Sequence, residues 1–220
     1  WDMIRRILFI GIPNGLENGM FQAGKLVVLN LIATFGTSAV AANAIANSIA
    51  GVVNVPGTAI GLSIITVIGR CMGAGETGQA AHYTKRLVGA SYVCMLVMST
   101  GMFLFADTLV SWFNLTPQAV QMAGQVLRAC AVGNVLFWPM AFTLPNSLRA
   151  AGDAVFTMGV SLCSMFACRV ALSYVMACEW GLGLGLLGVW LAMIADWVAR
   201  AVLFFVRYRQ GKWKKIKVIG

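Results

Sequence analysis

Apolar runs of about 20 residues or more recur along this chain, and they limit its fold more than any other feature. A hydrocarbon core about 30 Å thick holds no water for backbone N–H and C=O groups, so only helices and closed barrels cross it. The alternating segments of about ten residues that would mark barrel strands are not visible. Hydrophobic residues make up 60% and charged residues 10% of the 220 positions, with a mean hydropathy of +0.82. An average soluble domain carries about 25% charged residues. The sequence therefore describes an all-α membrane protein.

Six spans are predicted, at about 7–32, 39–69, 87–106, 118–148, 154–177 and 184–206. Residues 1–206 would form a six-transmembrane-helix bundle and 207–220 a basic cytoplasmic tail. The second span exceeds the hydrocarbon thickness and must tilt, bend or protrude. Pro56, between Asn54 and Gly57, is where a kink is expected. A glycine-rich basic loop is expected over 70–86, with the single histidine, His82, solvated in it. Asp107 to Pro117 reads as the next loop, with Thr116 capping the following helix and Pro117 at its first position. The opening residue is Trp1, and no signal peptide follows, so the chain reads as a fragment.

The net charge of +9 marks topology rather than nucleic-acid binding. Arg5, Arg6, Arg70, Lys85, Arg86, Arg149, Arg207, Arg209, Lys212, Lys214, Lys215 and Lys217 all fall on the side of the N-terminus, and the three opposite loops hold no Lys or Arg. By the positive-inside rule both ends of this stretch are cytoplasmic in the plasma membrane, joined by an even number of crossings. The KWKKIK tail suits contact with anionic lipid and topology marking equally. Trp112, Trp180 and Trp213 are expected near the interfaces, where aromatic belts occur. The six cysteines, most of them inside apolar runs and without a C-x-x-C pair, read as small core residues.

Ionisable residues inside a span cost at least about 2.5–3.5 kcal/mol each and mark a bundle interior or cavity. Glu17 lies near mid-depth of the first span in GIPNGLENGM, with Asn14 and Asn18 on an adjoining face. A desolvated carboxylate there suits a proton or, with oxygen-bearing neighbours, a sodium ion; the alternative is a protonated carboxyl bonding between helices. Asn43, Asn47 and Asn54 fall within about 40° of one another around a helix. That stripe reads as a polar path or as interhelical hydrogen bonding eased by Ala46, Ala50 and Gly51. Arg169, Asp196 and Arg200 fall at comparable depths and read as a self-neutralising structural cluster. Arg128 has no carboxylate near it in sequence. No H-E-x-x-H, G-x-S-x-G or P-loop is present, and no enzyme is indicated.

The run VIGRCMGAGETGQAAHYTKR resembles the multidrug and toxic compound extrusion (MATE) family, whose helices often end in a G-x-x-x-GAG run before a polar turn. GIPNGLENGMFQ is similar to the first helix of that family's C-terminal lobe, SLRAAGD to the L-R-G-x-G-D turn after its fourth, and GLLGVWLA to the start of its last. The resemblance implies one lobe of a twelve-helix antiporter, its N-terminal six-helix lobe absent from this chain. It implies export of amphipathic, commonly cationic small molecules in exchange for sodium or protons, with no cofactor, with membrane lipid as a partner and with no nucleic acid. Some sodium-coupled members carry a Glu where Phe21 stands and a Tyr-x-x-x-Asp where Asn134 and Trp138 stand. This leaves either Glu17 with the asparagines, or an acid in the other lobe, to bind the coupling ion. A flippase for lipid-linked saccharides, favoured by Lys25, Arg128 and Arg169, is the alternative within the superfamily. A six-helix channel or scaffold subunit is the alternative outside it.

Overall fold

The computed structural model describes the backbone of residues 2–215 and the side chains of 11–214, other than those of Pro13, Asn14 and Glu17. Asp2–Ala33 forms α1, Thr37–Gly73 α2, Thr77–Leu104 α3 and the short Ala106–Ser111 α4. Pro117–Trp138 (α5) passes through a π-helical turn at Pro139–Thr143 into Leu144–Ala150 (α6). Ala154–Ser164 (α7) likewise passes through a π segment at Met165–Ala171 into Leu172–Ala177 (α8). Gly185–Arg209 is α9, followed by a 3-10 turn at Lys212–Lys215. Five stretches are long and apolar enough to cross a membrane: Thr37–Gly73, Thr77–Leu104, Pro117–Ala150, Ala154–Ala177 and Gly185–Arg209. α1, at 32 residues, is the sixth long helix.

α2 forms the spine because one face of it is almost all small residues. Ala39, Ala42, Ala46, Ala50, Val53, Gly57, Gly61, Ile64, Ile68 and Cys71 are its buried positions, and steps of three and four keep them on one stripe. Lipid tails are as apolar as leucine, so burial alone does not drive helices together; close packing of small residues does. Gly57 illustrates this, since a Cβ there would overlap the Trp138 ring. A Cβ at Gly61 would lie 2.7 Å from the Asn146 amide nitrogen. α3 answers with its own stripe, Ala80, Thr84, Val88, Ser91, Met95, Ser99 and Met102. Its Ser91 hydroxyl bonds that of Thr143 at 3.1 Å. Pro56 lies inside α2 without ending it.

The turns are tighter than the sequence suggests. Residues 70–86 are helical except for Ala74–Glu76, so His82, Lys85 and Arg86 stand on α3 and His82 is exposed on that helix. Gly75, at φ 77°, lets the chain reverse at once while the Glu76 N–H reaches the Cys71 carbonyl at 2.9 Å. The second turn of this kind uses Gly152, at φ 91°, with the Asp153 N–H on the Leu148 carbonyl at 2.9 Å. Thr116 caps α5 as expected, accepting the Ala119 N–H at 3.3 Å with Pro117 at the first position. Pro145 donates no N–H toward Ala141, which frees the turn before it to widen into the π register.

The first part of the stretch expected as a basic tail, from 207, is folded. α9 continues to Arg209, and Trp213, 2% exposed, stacks on Tyr208 with ring centroids 5.4 Å apart. Its indole N–H donates to the Tyr208 carbonyl at 3.1 Å. Trp213 is therefore a packing residue, whereas Trp112 and Trp180 are 75% and 73% exposed. The basic ends of the helices meet there: Arg207 grips Asp153 with two bonds of 2.7 and 3.1 Å, and the Tyr208 hydroxyl reaches the Ala81 carbonyl at 3.4 Å. The side chains of Arg5, Arg6, Lys215 and Lys217 lie outside the described residues.

Candidate functional site

The π segment Met165–Ala171, within the membrane-spanning stretch Ala154–Ala177, sets the geometry of the site. It shifts the helical register by a residue, a change that often accompanies function, and it carries Arg169. The Ser173 hydroxyl donates to the Arg169 carbonyl. The half-buried guanidinium of Arg169 stands 5.2 Å from the centroid of the Phe21 ring on α1 and donates to the Met193 sulfur on α9 at 3.2 Å. Lys25, one turn beyond Phe21, has its ammonium 5.1 Å from the same ring.

Arg169 does not join Asp196 and Arg200 in one hydrogen-bonded cluster. Arg200 Nε donates to Asp196 Oδ1 at 2.9 Å, with the two side chains 3% and 0% exposed. Arg200 also donates to the Ser161 carbonyl at 3.0 Å, and the Ser164 hydroxyl donates to Asp196 Oδ1. That pair is compensated within the protein, one turn apart on α9. Among the described residues no carboxylate lies within ion-pair distance of Arg169 or Lys25. Arg200 does share the Phe21 ring, at 5.4 Å. The Phe21 ring is thus faced by three cations, Lys25, Arg169 and Arg200.

Lys25 and Arg169 line a cavity of about 420 Å³ between α1, α2, the π segment and α9. Gln22, Asn43, Asn47 and Trp190 supply its other polar groups, and Val28, Ile32 and Val189 its apolar wall. Asn43 is held from two directions. Its Oδ1 accepts the Trp190 indole N–H at 3.1 Å and the Asn47 amide at 3.0 Å, while that Asn47 amide also donates to the Asn43 carbonyl at 2.8 Å. These bonds occupy the Asn43 oxygen and leave its NH2 donors without a partner among the described residues. The cavity is therefore rich in cations and donors, with an aromatic and aliphatic wall for an apolar body.

The structure separates the remaining sequence candidates. Asn54 shares the face of Asn43 but lies eleven residues, about 16 Å, farther along α2; it does not line the cavity, and its Oδ1 is buried without a partner. Asn18 is exposed on α1. The side chains of Asn14 and Glu17 lie outside the described residues. Arg128 points away from the cavity and pairs with Asp107 on α4, both exposed. Asp107 needs Gly124 opposite, where a Cβ would come within 2.7 Å of its carboxylate. Asn134 is fully buried with neither amide atom partnered, and Trp138 packs 5.3 Å from Phe142. Among the described residues no group of three or more His, Cys, Asp or Glu gathers to hold a metal. Sequence reasoning overlooked Trp190 and Gln22. Only the spacing of Gln22 from Lys25 on one face of α1 hinted at its role.

Comparison with known proteins adds a context. A family model, MatE, matches residues 13–175. The chain is 26% identical over 219 residues to "Probable multidrug resistance protein NorM" of Thermotoga maritima, covering 100% of this chain and 47% of that protein. It is 28% identical over 214 residues to "Uncharacterized transporter YisQ" of Bacillus subtilis, covering 96% and 46%. A solved MATE structure in the bent conformation superposes with a TM-score of 0.88 at 19% identity, over 99% of this chain and 48% of that one. A MOP superfamily transporter from Pyrococcus furiosus, described by the reverse polarity of its binding pocket, gives 0.85 at 19% identity, over 96% and 47%. These two likenesses concern the fold. The chain spans about half the length of the curated relatives it matches.

Proposed function

We propose, because this chain belongs to the MatE family, that it is the C-terminal lobe of a twelve-helix exporter that moves amphipathic compounds by alternating access. Its partner would be an N-terminal six-helix lobe, and both ends of the present stretch would face the cytoplasm. The observation that carries this reading is the cavity, in which a wall of Val28, Ile32 and Val189 adjoins a polar side of Lys25, Arg169, Asn43 and Asn47. Such a surface suits a molecule with one apolar and one polar end. Transport follows if cargo and a coupling ion prefer different access states, since a ligand shifts an equilibrium only by its differential affinity. The coupling ion is sodium or a proton, with Glu17 as the responding carboxylate and Asn43 and Asn47 along the path.

Efflux from vesicles carrying the full-length protein, under separate sodium and proton gradients, tests this. One gradient is expected to drive export, and Glu17→Gln to suppress it without loss of expression. Export indifferent to both gradients would remove the antiporter reading.

A second reading concerns the polar end of the cargo. Two like charges 5 Å apart repel by about 3 kcal/mol at an effective dielectric of 20, so Lys25 and Arg169 together disfavour a cationic head near them. They favour an acidic one, as in a lipid-linked saccharide carrying phosphate. Competition of an acidic and a cationic amphiphile of equal apolar size for transport separates the two readings.

A further inference from the structure

A second concavity lies at the basic end of the molecule, between α3 and α9, and the cavity of the transport site does not account for it. It encloses about 560 Å³, within the range of about 300–1,000 Å³ common to small-molecule sites. On α3 it is lined by Lys85, Val88, Gly89 and Tyr92, which share one helical face. On α9 it is lined by Phe205, Tyr208 and Arg209, and its floor is completed by Met140 and Leu144. The folded segment beyond α9 contributes Lys214.

The chemistry of this groove is divided along its length. Its rim holds three cations, Lys85, Arg209 and Lys214, and among the described residues no carboxylate lines it. None of the three forms an ion pair among the described residues. Arg207, two residues before Arg209, is by contrast committed to Asp153. Two of the three rim cations are also positioned by aromatic rings. The Arg209 guanidinium lies 5.7 Å from the Phe205 ring centroid, and the Lys214 ammonium 5.6 Å from that of Trp213. Trp213 is itself fixed by its stack and hydrogen bond on Tyr208. Below the rim the surface is aliphatic and aromatic.

We propose that this groove binds one anionic phospholipid, with the phosphate among Lys85, Arg209 and Lys214 and an acyl chain against Val88, Met140 and Phe205. The proposal rests on the reading that the chain crosses a membrane with this end at the cytoplasmic surface, where anionic lipids attract basic residues. A row of cations that merely marked topology would need neither the apolar groove beneath nor the folded segment that brings Lys214 to its rim.

The test is native mass spectrometry of the full-length protein titrated with phosphatidylglycerol and, separately, with phosphatidylcholine. Each cation near the surface is worth about fivefold in affinity, so combining Lys85→Ala, Arg209→Ala and Lys214→Ala should weaken phosphatidylglycerol binding on the order of a hundredfold. Phosphatidylcholine binding should stay as it is. A second variant, Gly89→Trp, fills the groove and leaves the charges in place; a Cβ at Gly89 meets nothing within 4 Å, so a side chain has room there. It should lower binding of both lipids at the site. Equal affinity of the wild-type protein for the two lipids, or undiminished phosphatidylglycerol binding in the triple variant, overturns the proposal. So does a dimer that dissociates in the triple variant while lipid binding persists, since the occupant would then be a second copy. Export is read separately: lost lipid selectivity with intact export leaves the transporter reading standing, and retained selectivity without export leaves this site standing.

Discussion

Arg169 and Arg200 approach the same phenyl ring, at 5.2 and 5.4 Å, yet their surroundings differ in kind. Arg200 is 3% exposed and hydrogen-bonded to Asp196 and to the Ser161 carbonyl, so its charge is matched within the protein. Arg169 faces a cavity, with a ring and a thioether as neighbours and no carboxylate in ion-pair contact among the described residues. A compensated charge holds helices in place. A cation at a cavity wall, without an ion pair among the described residues, is costly to keep. The contrast separates the two arginines more cleanly than burial does.

The comparison can be broken by mutation. Asp196→Ala should have the largest effect, because it leaves Arg200 buried without its partner; about 3–5 kcal/mol of stability is at stake. A marked fall in melting temperature in detergent is expected, whatever the substrate. Arg169→Met should act in the opposite sense. Removing a membrane-embedded charge worth at least about 2.5–3.5 kcal/mol of insertion cost should hold or raise the melting temperature while export is lost. A fall comparable to that of Asp196→Ala would show Arg169 to be structural as well. Asn43→Ala removes the acceptor for Trp190 while Asn47 keeps the backbone carbonyl of residue 43, and interhelical bonds such as the one to Trp190 average about 0.6 kcal/mol in a bilayer. A small stability loss with an altered apparent affinity for cargo is expected in a transport assay. Arg128→Ala should do least, since exposed pairs contribute about 0–1 kcal/mol; unchanged melting and unchanged export would complete the series.

Much of the architecture is legible in the sequence. Apolar length gives the spans and the sorting of Lys and Arg gives the two ends, because each follows from the solvent a segment meets. The turn at Gly75 belongs to a recognisable run, yet the expected loop of 70–86 shrinks to three residues, because helix packing carries α2 and α3 through Gly73, Thr77 and Gly78 despite their low helix propensity. The site was only half legible. Asn43 and Asn47 were found by helical periodicity, which also nominated Asn54, since angle around a helix says nothing of depth along it. In the sequence Lys25, Arg128 and Arg169 alike favour the flippase alternative, and Arg169 also reads as part of a structural cluster with Asp196 and Arg200. Only Lys25 and Arg169 reach the cavity, because α4 brings Asp107 to Arg128.

The sequence by itself determined that this chain is helical, that it suits a membrane, which ends of its helices share a side, and which family it resembles. Those properties depend on local length, composition and order, and the bilayer enforces them segment by segment. Only the tertiary structure decided which charges are neutralised. Asp153 with Arg207, Asp107 with Arg128, and Trp190 with Asn43 join residues 54, 21 and 147 positions apart. Such pairings depend on close helix packing through small residues, which decides which side chains meet across the bundle and cannot be read from local length, composition or order.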